Sequence, residues 1–230
     1  LRRGTAGLRP LPLLFPAGRD SFSRQVRQNW DYYEAVRPAM TALRDQESGI
    51  RAAAFALKYL YPEARFPDIY FLVGAPAGGH AIIGGRIVID AALFGPSNPG
   101  PTRARRYLPA PYAAEQAAVY VAHTLARYQQ TPGEPAGFPE RCIREGVAEL
   151  IAELMTGRRL HEHLDTLIAG REEDLRGAFL SALSERPDGR WRPTDAYDIR
   201  RELGIWTGYQ IARAYYDRAS DKRAAMRERK

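Results

Sequence analysis

The chain has 230 residues, a length that suits one large domain or two small ones and allows a sizeable hydrophobic core. Hydrophobic residues make up 45% and charged residues 27%, the balance of an ordinary globular protein, and no apolar run approaches the roughly 18 residues that a transmembrane helix needs. Cys142 is the single cysteine, which excludes an internal disulfide framework and cysteine-ligated zinc sites.

The chain is basic, with a formal net charge of +7 and a sequence pI of about 9.7. Almost all of its 34 basic residues are arginines, and they are spread along the chain among 27 acidic residues. This distribution is more typical of solvated surfaces than of a nucleic-acid interface, so nucleic acid is not an expected partner. The segment 218–230 is locally basic, which leaves an anion-binding module as one alternative function.

The N-terminal third of the chain is predicted to begin with an extended arm and to continue as helix. Residues 1–19 contain three prolines and form the arm, and residues 20–230 are expected to form a single domain. The first helical pattern should be interrupted at Pro38, because proline removes a helical hydrogen bond and clashes with the preceding turn. A second helix is predicted over residues 48–64, where apolar residues recur at helical spacing.

The clearest β region follows. Residues 68–74 are rich in β-branched and aromatic residues, and two short apolar runs, 80–83 and 86–90, flank Gly84-Gly85. A Gly-Gly pair at this place is typical of a two-residue hairpin, because both positions can adopt positive φ. The pattern predicts a small three-stranded antiparallel sheet.

The rest of the chain reads as helix. These elements predict an α+β fold that is mostly helical with a small antiparallel sheet. The predicted helices cover residues 111–130, 139–156, 172–184, 200–218 and 221–229.

Two segments of this helical region carry the residues with the most chemistry. In "VAHTLARYQQ", His123 and Arg127 are four residues apart and share one helix face. An active zinc-protease helix reads H-E-x-x-H, in which both imidazoles hold Zn²⁺ and the glutamate activates water. Glu145 follows His123 at a spacing that suits a third ligand on the next helix, and Glu149 lies one turn beyond it.

The pattern also has a simpler interpretation. A single histidine on an alanine-rich helix is usually structural, and H-x-x-x-R has no specificity as a metal motif. Glu145, Glu149 and Glu153 recur every four residues, and such a stripe is usually a solvated helix face.

Several blocks taken together resemble one bacterial family, the predicted zinc-dependent proteases related to gliding-motility lipoprotein B. The similarity runs in order over roughly residues 50–225. The similar blocks are "YPEARFPDIYFLVG", "IVIDAALFG", "AHTLARYQQ", "EGVAELIAELMTG" and "RELGIWTGYQIARAYYDRASDKRAA". The resemblance implies a zincin-like fold, more narrowly gluzincin-like, in a bacterial protein that is exported or associated with the cell envelope.

Some positions match the family pattern of H-E-L-x-H-x-Q-Q followed by E-G-x-A-[DE]. The first zinc ligand corresponds to His123, and Gln129 and Gln130 match the trailing glutamines. In the second motif, Glu145 and Glu149 match the acidic positions. Glu149 is also placed to orient an imidazole that binds the metal.

Other positions depart from the family. Thr124 replaces the catalytic glutamate and is too weak a base to take a proton from a metal-bound water, a loss that typically costs about 10²–10⁴-fold in rate. Arg127 replaces the second histidine and offers no lone pair to a metal. The glycine-rich segment that ends at His80 also differs from the family's S-G-G-T. We therefore predict that Arg127 forms an ion pair with Glu145 in place of the missing cation, with His123 neutral and hydrogen-bonded nearby.

The remaining histidines offer further candidates. His80 follows the glycine-rich loop, and a three-ligand site of His80, His123 and Glu145 is one alternative. His161 and His163 are two residues apart, a spacing that points side chains of a helix in different directions. The pattern favours solvated positions for both, with His161 able to pair with Asp165.

The block "IWTGYQIARAYY" places several aromatic residues at helical spacing. This favours the core face of the last long helix, with Gly208 allowing close packing, over a tyrosine that stabilises an oxyanion.

The sequence thus predicts a catalytically degenerate relative of zinc metalloproteases, a pseudoenzyme that acts as a non-catalytic binding or scaffold protein with a protein or peptide partner. No cofactor is expected in this interpretation, and Thr124 and Arg127 are vestigial catalytic positions. The alternatives are a metal-dependent peptidase with a non-standard zinc site and the anion-binding module.

Overall fold

The computed structural model describes residues 23–24, 26–28, 30–73, 79–95, 112–130, 137–184 and 199–227. These residues are mostly helical, with one small sheet, which confirms the predicted α+β class. They fall into two compact units: the first holds the described residues up to Gln46 and those from 67 to 117, and the second holds 47–66 and those from 118 onward. The predicted arm, residues 1–19, lies outside the described part.

The elements follow in chain order. The helices are α1 (Trp30–Asp45), α2 (Glu47–Leu60), α3 (Ala117–Gln129), α4 (Phe138–Thr156), α5 (His163–Ile168), α6 (Glu172–Ser184), α7 (Ile199–Arg218) and α8 (Lys222–Arg227). The strands are β1 (Ile69–Leu72), β2 (His80–Ile83) and β3 (Arg86–Asp90), and short 3₁₀ helices cover Ala91–Phe94 and Ala114–Gln116.

The sheet of the first unit is mixed, so the prediction of an antiparallel sheet is wrong. Its order is β1-β3-β2, with β1 parallel and β2 antiparallel to β3. The most deeply buried strand, β3, takes the central position, where Ile87, Val88 and Ile89 are all fully buried.

The predicted hairpin between β2 and β3 is present. Gly84 and Gly85 have φ values of 55° and 74°, a backbone that disfavours any residue with a side chain at both positions of the turn. At the far end of β3, the carboxylate of Asp90 accepts a hydrogen bond of 3.0 Å from the amide of Ala92 and caps the 3₁₀ helix.

Helix α1 continues through Pro38, contrary to the prediction of an interruption there. Val36 and Leu43, on either side of the proline, are both buried. The side chain of Val36 packs beside Gly95, which follows the 3₁₀ helix after β3. Packing of this helix face in the first unit outweighs the single hydrogen bond that proline removes.

The second unit is helical, and its predicted helices are confirmed to within a few residues wherever the structure describes them. Helix α4 carries Pro139 at its first turn and ends at Gly157, whose φ of 73° reverses the chain. Its neighbour α7 crosses α4 at Gly146 and Gly208, where the two backbones touch. This crossing fixes the position of α4, which carries Glu145 and Glu149.

The aromatic residues of α7 belong to the core in part: Tyr209 is buried and Trp206 and Tyr216 pack against core clusters, whereas Tyr215 is 50% exposed. Tyr209 is 7% exposed and packs with Leu150 and Ala212. Its hydroxyl donates a hydrogen bond of 2.9 Å to Glu153. Among the described residues, no helix is both long and apolar enough to cross a membrane.

Candidate functional site

The His123–Arg127 segment lies on α3, with its first two residues buried. His123 and Thr124 are 5% and 1% exposed. The hydroxyl of Thr124 donates a hydrogen bond of 2.9 Å to the carbonyl oxygen of Tyr120, one turn earlier in the same helix. Thr124 is therefore part of the packed helix and offers no base at the position of the family's glutamate.

Arg127 forms the predicted ion pair with Glu145. Its Nε lies 3.3 Å from Glu145 Oε1, and both side chains are less than one quarter exposed. The guanidinium also donates to Gln130 Oε1, and the amide of Gln130 donates a hydrogen bond of 2.7 Å to the carbonyl of Arg144. Gln130 thereby ties α3 to the helix that carries Glu145.

Gln129, the other trailing glutamine of the motif, has a structural role. Its amide nitrogen donates to the carbonyl oxygen of Arg65, and its oxygen accepts from the backbone amide of Arg65 at 2.8 Å. This reciprocal pair joins the end of α3 to the segment that follows α2.

Glu149 is the most deeply buried acidic residue of the described part, at 1% exposure, so the interpretation of its stripe as a solvated face is wrong at this position. It accepts two hydrogen bonds from His161, one of 2.6 Å from the backbone amide and one of 3.0 Å from Nδ1. Glu149 thus orients an imidazole, as the sequence resemblance suggested, but the imidazole is that of His161.

The prediction of a solvated His161 is also wrong. The reversal at Gly157 ends α4, and His161 lies in the turn before α5, so helical spacing does not apply to it. The turn brings the ring back beside α4. Asp165 pairs with Arg159 and accepts from Trp206 instead, while His163 remains exposed.

His123 faces this group with a nitrogen that has no hydrogen-bond partner. Its buried Nε2 lies 3.6 Å from Glu145 Oε2 and 3.8 Å from Glu149 Oε2, beyond hydrogen-bonding distance in both cases. Its ring centroid is 5.8 Å from that of His161. An unpartnered buried nitrogen between two carboxylates is unusual, because buried polar atoms are normally satisfied.

Burial and charge set the protonation of these groups. Burial lowers the pKa of His123 despite the opposing effect of Glu145 and Glu149, which favours the neutral imidazole. Burial alone would raise the pKa of Glu149, but the hydrogen bonds and charge of His161 outweigh it and lower the pKa, so this carboxylate is ionised. Burial raises the pKa of Cys142 to about 12, which keeps that thiol protonated.

The described residues contain one group of three potential metal ligands within 4.8 Å of one another: His123, Glu149 and His161. Glu145, which the sequence proposed as a ligand, lies at the edge of this group and is bound to Arg127. His80 begins β2 in the first unit, where it is exposed. The alternative site that includes His80 stays a prediction.

A zinc ion held as in the resembled family does not fit these residues. Arg127 stands where the second imidazole is expected and has no lone pair to donate. It also engages Glu145, the expected third ligand. Sequence reasoning did not place His161 at the site. The one signal for its position is Gly157, which ends α4 and turns the chain back.

Acid is expected to destabilise the fold through His123. Because its pKa is lowered in the folded protein, the folded state binds the proton less tightly than the unfolded state does. In chelator, we expect the free energy of unfolding to be highest above pH 6.5 and to fall below it, with a further fall below pH 4.5 as Glu149 protonates. Urea titrations from pH 4 to 8 measure this, and an unchanged pH dependence in His123→Gln would contradict the assignment to His123.

Comparisons with protein-family models, curated proteins and solved structures find no match to the chain. Function is therefore inferred from the residues of the site and from the sequence resemblance.

Proposed function

We propose that this protein is a catalytically degenerate relative of zinc metalloproteases that acts as a non-catalytic binding or scaffold protein for a protein or peptide partner. The observation that carries the proposal is the Arg127–Glu145 ion pair at 3.3 Å. It places a fixed cation where the resembled enzymes are expected to hold part of their zinc site.

The surroundings of the pair support the absence of peptidase chemistry. A general base must reach the proton that it removes. The hydroxyl of Thr124 instead donates a hydrogen bond to a backbone carbonyl of α3. Glu145, the other carboxylate near His123, is held in an ion pair with Arg127.

The direct test is hydrolysis of an unstructured protein. We expect no cleavage of fluorescein-labelled casein by the full chain at neutral pH, with or without added Zn²⁺. A zinc-stimulated cleavage that chelator removes and that His123→Ala abolishes would overturn the proposal. That outcome would instead establish the alternative of a hydrolase with a non-standard metal site.

Removal of the substitute cation is expected to destabilise the second unit. Arg127→Ala leaves Glu145 in a mostly buried position without its partner, and we expect a loss of about 1–3 kcal/mol, between the values for exposed and fully buried pairs. The matched control is Arg158→Ala, whose partner Glu162 is about half exposed, with an expected loss below about 0.5 kcal/mol. Equal losses in urea unfolding would contradict a special role for Arg127.

The anion-binding alternative finds less support in the C-terminal segment. Lys222 donates to the carbonyls of Tyr216 and Asp217, at 2.5 and 2.8 Å, and Arg223 stacks 4.5 Å from the ring of Tyr59. These basic side chains make contacts within the second unit.

A further inference from the structure

We propose that His123, Glu149 and His161 form a structural zinc site, which shares His123 with the zinc site of the resembled proteases but takes its other two ligands from Glu149 and His161. The three residues come from α3, from α4 and from the turn before α5. The site goes beyond the scaffold function and does not depend on it, because a structural metal requires no catalytic base.

The residue types and their spacing suit zinc. Two imidazoles and one carboxylate are common zinc ligands, at about 2.0–2.2 Å from the metal. Ligand atoms around a tetrahedral zinc ion are then about 3.4 Å apart. In the structure His161 Nδ1 lies 3.0 Å from Glu149 Oε2, and His123 Nε2 lies 3.8 Å from the same oxygen. Both separations are within about 0.4 Å of that spacing, and the three ligand atoms all lie within 4.8 Å of one another.

The unpartnered Nε2 of His123 points to a cation independently of the ligand spacing. If Nε2 carries the proton, it lacks a buried acceptor within hydrogen-bonding distance. If Nε2 is unprotonated, its lone pair faces two carboxylates at 3.6 and 3.8 Å. Either state is costly for a group that is 5% exposed, and a metal ion between the three groups removes the cost in both cases.

The charge around the site also favours a divalent cation. Glu145 and Glu149 place two negative charges within 4 Å of His123 Nε2. Arg127 offsets one of them, but it does so at Oε1 of Glu145, while Oε2 faces His123. Glu145 therefore lies between Arg127 and His123, and its Oε2 is placed to accept a hydrogen bond from a metal-bound water.

The burial of the ligands indicates a structural role for the metal. The side chains of His123, Glu149 and His161 are 7%, 2% and 17% exposed. Structural zinc sites are closed, whereas catalytic sites keep a position open to substrate. Zinc at this place would fasten the turn that follows Gly157 to both α3 and α4.

The test is zinc binding by the full chain, stripped with chelator, equilibrated with Zn²⁺ alone and freed of excess metal by gel filtration. We expect about one zinc ion per chain by elemental analysis. His161→Ala should lose this zinc, because removing a ligand weakens affinity by at least the roughly 100-fold that loss of a supporting residue causes. His163→Ala removes an exposed histidine two residues away and should keep it.

Either of two results would overturn the proposal: less than half an ion per chain in the native protein, or zinc affinity of His161→Ala within about tenfold of native. Circular dichroism of each variant identifies a folding failure. If His161→Ala does not fold, Co²⁺ substitution of the native protein replaces it as the test. The absorption bands of tetrahedral cobalt are then expected, and their absence would count against the site. Cleavage of casein would overturn the proposed function and would leave the zinc count unaffected. The two proposals can therefore fail separately.

Discussion

Gly208→Ala is expected to prevent the second unit from folding. A β-carbon at this position would lie inside van der Waals contact of the carbonyl group of Cys142 on α4. The obstacle is backbone, so no side-chain rotation relieves it and the two helices must separate. We expect a loss of at least about 3 kcal/mol, a large share of the roughly 5–15 kcal/mol that stabilises a typical protein.

The facing Gly146 gives the same expectation, because its added β-carbon would meet the backbone of Gly208 and Tyr209. The matched control is Gly177→Ala in α6, where an added β-carbon meets nothing within 4 Å. There alanine should stabilise the protein by up to about 1 kcal/mol, since it favours helix over the unfolded chain. Thermal unfolding followed by circular dichroism measures all three, and a folded, cooperatively melting Gly208→Ala protein would contradict the close crossing.

Glu149→Ala is expected to cost about 3–5 kcal/mol in metal-free buffer. The substitution removes both acceptors of His161 and leaves its backbone amide without the bond of 2.6 Å. It also opens a cavity at a position that is 1% exposed. Urea unfolding in the presence of chelator measures the loss.

Glu162→Ala is the control for Glu149, because it removes the same side chain next to His161 from a position that is about half exposed. Its ion pair with Arg158 lies in the exposed turn between α4 and α5, and its loss should change the free energy of unfolding by less than about 0.5 kcal/mol. If the two variants lose equal stability, Glu149 does not hold the turn at His161.

Local patterns were enough to predict much of the fold. The helices of the second unit follow from apolar spacing, and the hairpin follows from Gly84-Gly85, whose positive φ values leave few alternatives. The order of the strands depends on which strand the rest of the unit covers. Local sequence patterns do not specify this directly. The consecutive apolar residues of β3 favour a strand that is covered on both faces. The predicted antiparallel sheet did not take this into account.

The departures at Pro38 and His161 have different physical origins. At Pro38, packing with residues distant in sequence outweighs a local rule, whereas at His161 the helix has already ended at Gly157, so helical spacing does not apply. Burial of Val36 and Leu43 keeps α1 continuous, and the reversal at Gly157 carries His161 back to Glu149. The Arg127–Glu145 pair could be predicted from the sequence resemblance, which places the two residues on facing helices. A cation and a carboxylate in that arrangement are each other's natural partners.

The most direct test of the central claim is an anomalous difference map at the zinc absorption edge, from crystals grown with Zn²⁺. We expect one peak about 2.0–2.2 Å from ligand atoms of His123, Glu149 and His161, with Arg127 still bound to Glu145. A map without this peak would contradict the zinc site. A zinc ion bound by His123 and Glu145, with Arg127 displaced, would contradict both the proposed zinc site and the proposed loss of catalysis.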